Sequence, residues 1–273
     1  MDAVLLAAGR SGDDFSEAFS TEHKCLVRVA GRPIIRWVLD ALRASPLIGR
    51  VIVIGPEQPL RSAGVAEEII PNEDGSYADS VAAGLRAATG DRVLIIAADV
   101  PLLKSGALDR YIADCLRTDA DVCFPVVSWE AMQDRLPGAR KTWYDLRDGK
   151  YTKGNAVVVR REVVLQRLDR VESLFKTRKK KQWAALVCQG FMSRLLRCIA
   201  TRSEVEAGLS TYLGLRVKAV DADPAIAVDV DEVTDVPFVG QVLAGGNSPQ
   251  GGRLARTPTT QPRLLHGLAA RTV

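Results

Sequence analysis

The sequence predicts an α/β fold in which a mostly parallel sheet is covered by helices on both faces. Three observations predict it. Several short β-branched and aliphatic runs, Arg92–Ala97 above all, are apolar without alternation. A strand of that kind is buried on both faces. Amphipathic helical patterns separate these runs, which gives right-handed parallel crossovers and puts the strands' C-terminal ends on one edge, where ligands bind in such sheets. Finally, 273 residues suffice for one large core, or one domain with an extension.

The elements follow in order. Ala3–Ala8 reads as a first strand, not a secretory leader, because no basic flank precedes it and a glycine-rich loop follows. Pro33–Ser45 is a helix, with Pro33 suited to its first position. Arg50–Ile54 and Ala66–Ile70 are strands, Ser76–Thr89 a helix, Arg92–Ala97 a strand, Ser105–Thr118 a helix and Asp121–Val126 a strand. Beyond Val126 the pattern loosens. Trp129–Tyr144 reads as loop-rich, Asn155–Val159 as a strand and Glu162–Leu174 as a helix. Lys176–Lys181 is a basic run leading into an apolar helix, Trp183–Ala200. Ser203–Leu213 is a helix capped by Ser203 with Glu206 three residues on. Arg216–Val220 and Ala225–Val228 read as strands, and a last helix starts after Asp231. The domain so defined covers residues 1–242, with a basic and apolar helical insertion over 162–213.

Composition narrows the function classes. Hydrophobic residues at 47% and charged residues at 26% are an ordinary globular mixture. No stretch is long and apolar enough to span a bilayer. Five scattered cysteines, with no C-x-x-C, argue against a disulfide framework or a zinc ribbon and fit the cytoplasm. With two histidines, any metal is held by oxygens, which favours a hard cation such as Mg2+. The net charge of +4 comes from Arg253, Arg256, Arg263 and Arg271 in an acid-free stretch, 243–273, which reads as a disordered tail; the body carries 33 basic and 33 acidic residues, and no nucleic-acid partner is expected.

Four motifs carry chemistry. Leu6-Ala7-Ala8-Gly9-Arg10-Ser11-Gly12 follows the first strand, where glycines let backbone N–H groups approach phosphates. A dinucleotide-binding loop fits less well, because the third glycine is missing and Asp13-Asp14 would repel a pyrophosphate. Lys24, between that loop and Gly31-Arg32-Pro33, is placed to neutralise a triphosphate. Asp99, at the end of the wholly apolar strand before it, needs compensation that a metal ion would supply; the plainer reading is a helix cap or paired structural carboxylate. Asp229 and Asp231, at alternate positions, suit a second ligand to the same cation, although Asp231 also reads as a cap for the last helix.

Taken in order with Asp79-Ser80-Val81-Ala82-Ala83-Gly84-Leu85 and Ala98-Asp99-Val100-Pro101-Leu102, these motifs resemble the MobA-like NTP transferases: molybdenum-cofactor guanylyl- and cytidylyltransferases, sugar-phosphate nucleotidyltransferases and methylerythritol-phosphate cytidylyltransferase. The resemblance implies a nucleotide-diphospho-sugar-transferase (glycosyltransferase-A-type) fold over residues 1 to 240. It implies a magnesium-dependent nucleotidyltransferase, taking CTP or GTP and a small phosphorylated or anionic acceptor. Leu6, Ala7, Ala8, Gly9, Arg10, Gly12, Lys24 and Ser80 would bind the nucleotide, Lys24 and Asp99 would be catalytic, Asp99 with Asp229 or Asp231 would hold the metal, and Gly154-Asn155 would line the acceptor side. Relatives follow the glycine loop with Gly-x-Arg-Met-Gly; here Gly12-Asp13-Asp14-Phe15 stands instead, with Arg10, Arg28 or Arg32 as substitutes for the arginine. A nucleotide-sugar-dependent glycosyltransferase and a catalytically degenerate nucleotide-binding protein are the alternative readings. Over 176–200 a basic run precedes the apolar stripe Trp183, Val187, Phe191, Leu195 and Ile199, which suits packing on the domain or a weak contact with an anionic membrane surface.

Overall fold

A computed structural model describes residues 1–10, 12–72, 76–177 and 200–245. The chain begins with β1 (Asp2–Leu6), α1 (Asp13–Phe19), a 3-10 turn at Lys24–Leu26, the small hairpin β2 (Arg28–Val29) and β3 (Arg32–Pro33), and α2 (Ile34–Arg43). It continues through β4 (Arg50–Gly55), α3 (Glu57–Ser62), β5 (Glu68–Pro71), α4 (Tyr77–Ala87), β6 (Arg92–Ala97), α5 (Ser105–Leu116), β7 (Val122–Ser128) and α6 (Trp129–Arg135). Then come β8 (Tyr144–Leu146), β9 (Gly149–Lys153), β10 (Ala156–Arg160), α7 (Arg161–Leu165), α8 (Leu168–Thr177), α9 (Arg202–Leu213), β11 (Val217–Asp221), a 3-10 turn at Pro224–Ile226 and α10 (Asp235–Leu243).

Nine of these strands form one sheet in the order β5-β4-β1-β6-β10-β7-β9-β8, with β11 on the other edge of β7. The pairs β5–β4, β4–β1 and β1–β6 are parallel, β10 runs antiparallel between β6 and β7, and β11 is parallel to β7. Alternate residues of the apolar strands serve the two faces. Ala3 and Leu5 join a core with α2 and α5, whereas Val4 joins another with α4, α7 and α9. Continuous apolar runs are therefore required by burial on both sides, as the sequence predicts. At the tightest crossing a Cβ on Gly84 would lie 2.2 Å from Val4 Cγ1, so only glycine lets α4 lie this close to β1.

Three local expectations are corrected. The loop-rich stretch from Trp129 contains α6, whose start is capped by Ser128 Oγ accepting from Ala131 N at 3.2 Å. The strand expected over Ala225–Val228 is the 3-10 turn, entered by Pro224, which lacks the N–H a ladder needs, and capped by Asp223. The cap of α9 is Thr201 with Glu204, each bonding the other's backbone N–H; Glu206 is instead buried, accepting from Lys218 Nζ at 2.8 Å and Ala219 N at 3.0 Å. The basic and apolar stretch of 178–199 and the tail beyond 245 lie outside the described residues. Among the described residues, no helix is long and apolar enough to cross a membrane.

Candidate active site

The parallel register of β1 and β6 pairs Leu6 with Ala97, so the glycine-rich loop and Ala98-Asp99 leave the sheet side by side. Ala7 N donates to Ile54 O at 2.8 Å and Ala98 N to Leu6 O at 3.0 Å, fixing both exits. Lys24 opens its 3-10 turn beside them, and the Cys25 thiol donates to Ala7 O across 3.6 Å. Leu6, Ala7, Gly9, Lys24, Cys25, Ala98 and Asp99 line one small cleft. A Cβ on Gly9 or Gly12 would meet nothing within 4 Å. Protein packing does not demand glycine at either place, unlike Gly84; bare, exposed backbone is what an approaching anion needs.

Asp99 is at the centre. Its Oδ1 is buried with no hydrogen-bond partner, and its carbonyl accepts from Val230 N at 2.9 Å, which brings the 229–231 segment against it. Burial, then the charges of Asp229 and Asp231, push its carboxyl up to about 7, with Lys24 pulling the other way. Each flanking acid has taken a lysine. Lys24 Nζ donates to Asp231 Oδ1 at 2.7 Å, and Lys141 Nζ donates to Asp229 Oδ1. Burial alone would raise the Asp231 carboxyl; the Lys24 hydrogen bond and charge outweigh it and hold it below the usual carboxylate range. Among the described residues, no three His, Cys, Asp or Glu side chains are close enough together to hold a metal ion as they stand.

Asp231 does not cap the last helix: Asp235 Oδ2 accepts from Asp231 N at 3.0 Å and Glu232 N at 2.8 Å. Ser80 is buried, and its hydroxyl accepts from Asn72 Nδ2 at 2.8 Å while donating to Ser76 O at 3.2 Å; its contact is with Asn72, at the end of β5. Two of the three substitute arginines are engaged elsewhere. Arg28 donates to Gly31 O at 2.6 Å, and Arg32 pairs with Asp40 at 2.5 Å and stacks on Trp37. Arg10 stays in the glycine loop, bridged to His23. The stretch after Gly12 that replaces the relatives' Gly-x-Arg-Met-Gly is α1, anchored by buried Phe15, whose ring lies tilted against Phe19 with ring centres 4.9 Å apart. Their i, i+4 spacing was the available signal.

Gly154 and Asn155 form a bulge between β9 and β10. On Gly154 a Cβ would lie 2.8 Å from Pro125 Cγ, so packing accounts for that glycine. Asn155 joins the end of β6 to the turn before Asp229: Ala97 N donates to its carbonyl at 3.0 Å, its N donates to Ile226 O at 3.1 Å and its Nδ2 to Ala227 O at 3.3 Å. Lys141 had no sequence signal at all, being one lysine in a stretch read as loop.

The mostly parallel sheet with helices on both faces is the nucleotide-diphospho-sugar transferase fold, the framework of nucleotidyltransferases. Solved structures agree. A hypothetical transferase from Thermus thermophilus superimposes with a TM-score of 0.77 at 29% identity, over 86% of this chain and 98% of that one. The 4-diphosphocytidyl-2C-methyl-D-erythritol synthase of Anaerococcus prevotii superimposes with a TM-score of 0.55 at 14% identity, over 89% and 95%. Among curated proteins, the molybdenum cofactor guanylyltransferase of Shewanella loihica is 26% identical over 174 residues, 58% of this chain and 84% of that protein. The family model of the MobA-like NTP transferase domain matches residues 3–199. The chain belongs to that family.

Proposed function

We propose that this protein transfers a nucleoside monophosphate from CTP or GTP to a small phosphorylated or otherwise anionic acceptor, releasing pyrophosphate. The observation that carries the reading is the buried, unpartnered Asp99 Oδ1 at the end of β6, facing a bare glycine loop and Lys24. The residues suit a hard dication there. Three carboxylates share two ammonium groups, and the one whose Oδ1 lacks a partner is pushed up by burial and then by the charges of the other two. Asp99 with Asp229 or Asp231 would hold Mg2+, which would supply charge neutralisation at the phosphates.

The steps of the chain's own groups follow from this. Backbone N–H groups of Ala8, Gly9 and Gly12 receive the phosphates, while Ala7 N stays bonded to Ile54 O. Lys24 exchanges Asp231 for phosphate oxygens, where negative charge grows as the leaving group departs. An acceptor oxygen attacks the α-phosphorus in line, the bond to the bridging oxygen breaks, and that oxygen leaves on pyrophosphate with the electron pair. The acceptor's proton passes to solvent or to its own anionic group. No protein nucleophile takes part.

The reading is tested by incubating the protein and Mg2+ with each of the four NTPs and a fractionated metabolite pool, and measuring pyrophosphate. Release with one NTP that needs a pool fraction, and is lost in Asp99→Asn, supports it. Release of free nucleoside diphosphate from a nucleotide sugar instead would favour the glycosyltransferase alternative.

A further inference from the structure

We propose that Lys141 binds an anionic group of the acceptor, a phosphate or a carboxylate, and that Asp229 holds its ammonium until that group arrives. The inference rests on the nucleotidyltransferase reading and deepens it. The Lys141 and Asp229 side chains are only 13% and 15% exposed, so both charges have largely left water. Such a pair returns in attraction about what its desolvation costs, which makes it a poor device for stability alone. It also stands beside Asp99, whose buried Oδ1 has no hydrogen-bond partner, and Asp229 is one of the two carboxylates available to a cation.

Once Asp229 turns to a cation, a buried ammonium is left without its anion, an arrangement that proteins do not sustain. The ligand must then supply one. The triphosphate already has Lys24, which approaches from the β1 side of Asp99. Lys141 comes from the segment between α6 and β8, and α6 packs on β7 and β9, on the side of β6 away from β1. That segment is pinned around it. Arg140 donates to Thr234 Oγ1 at 2.7 Å and pairs with Glu232 at 3.3 Å, and Leu136, Ala139 and Trp143 pack into the apolar cluster beneath. The backbone stays in place while the four-carbon stem swings the ammonium from Asp229 to a neighbouring oxyanion. Lysine meets such a group as a point charge, so phosphate and carboxylate share the chemistry.

The test uses the full chain with Mg2+ and a saturating α,β-methylene analogue of CTP or of GTP. Inorganic phosphate and, separately, acetate are then titrated calorimetrically. The loaded wild type is expected to bind at least one of them, and the stronger anion names the source. Lys141→Met should weaken that binding by about tenfold or more, with the analogue's own Kd changed less than about twofold. Lys141→Gln, whose amide still hydrogen-bonds Asp229, gives the same reading should the Met variant fail to fold, and Lys141→Arg should keep part of the affinity. Equal anion binding in wild type and variants, or none by the loaded wild type, overturns the proposal. A matching loss of analogue affinity also overturns it, because Lys141 would then serve the triphosphate. Failure of the wild type to bind either analogue sinks the nucleotide reading itself and this inference with it.

Discussion

The two halves of the sheet are built on different principles. From β5 to β6 every pairing is parallel, β4, β1 and β6 are buried on both faces, and the glycine loop follows directly on β1. From β10 to β8 the pairings along the path are antiparallel, with β11 alone parallel on the other edge of β7; β9 and β10 are separated by the Gly154-Asn155 bulge, and the hairpin β8–β9 lies at the edge. The first half exposes bare backbone at Gly9 and Gly12. The second presents side chains, Lys141 and Asp229 among them, held by long-range contacts. Asp99 stands at the seam, and the 229–231 segment reaches it from the far end of the chain. On the proposed reading, the regular half would set where the nucleotide lies, and the irregular half what is joined to it.

The largest expected effect is at the seam. Asp99→Asn should lower nucleotidyl transfer by about a hundredfold or more, the scale of losing a main electrostatic stabiliser. Its melting temperature should equal or exceed the wild type's, since an unpartnered buried carboxylate becomes neutral. Full magnesium-dependent turnover in this variant would falsify the role given to Asp99. Lys24→Ala should cost about 10- to 150-fold in kcat/KM, the range for a charge-assisted contact. Steady-state kinetics that match the wild type would reduce Lys24 to a partner of Asp231.

A pair of glycine substitutions separates backbone offered to a ligand from backbone required by packing. Gly84→Ala drives a methyl into Val4, and overpacking of this kind costs about 1–3 kcal/mol in chemical denaturation. Gly9→Ala meets no atom within 4 Å and should change stability by no more than about 0.5 kcal/mol, yet weaken nucleotide binding. If Gly9→Ala bound the nucleotide as the wild type does, the glycine loop would lose its assigned role.

The same division explains what could be read from the residues alone. Arg92–Ala97 announces itself because burial on both faces forces every position to be apolar, and the Asp that ends it is then conspicuous. Helix α4 is legible from its Ser76–Asp79 capping box and its periodicity. In the other half the determinants are distant. Strands β8 and β9 owe their state to pairing with each other and with β7, not to strong local preference. Pro224 turns Ala225–Val228 out of a strand even though its residues are apolar enough for one. Lys141 becomes notable only because Asp229, 88 positions later, lies within reach. The family resemblance alone puts Ser80 on the nucleotide; which way its hydroxyl bonds depends on Asn72, and only the fold supplies that.

The smallest expected effect is in the second half and reads out in acid. Asp121 precedes β7 and accepts from Arg216 through its N at 2.9 Å, Nε at 3.2 Å and a terminal nitrogen at 2.8 Å, joining the start of β7 to that of β11. The Arg216 hydrogen bonds hold its carboxyl below the ordinary value, outweighing the opposite pull of burial. A depressed carboxylate contributes stability that is present above its unfolded pKa of about 3.9 and is lost as pH falls through the folded value. Urea midpoints measured from pH 6 downward should therefore drop below about pH 4 more steeply in wild type than in Asp121→Asn. The variant should already be less stable at pH 6, with its two curves converging in acid as the wild-type carboxyl takes up its proton. Parallel curves over the whole range would show that the Arg216 contacts leave Asp121 no more acidic in the folded chain than in the unfolded one, and that β11 is held to β7 by its ladder and apolar packing alone.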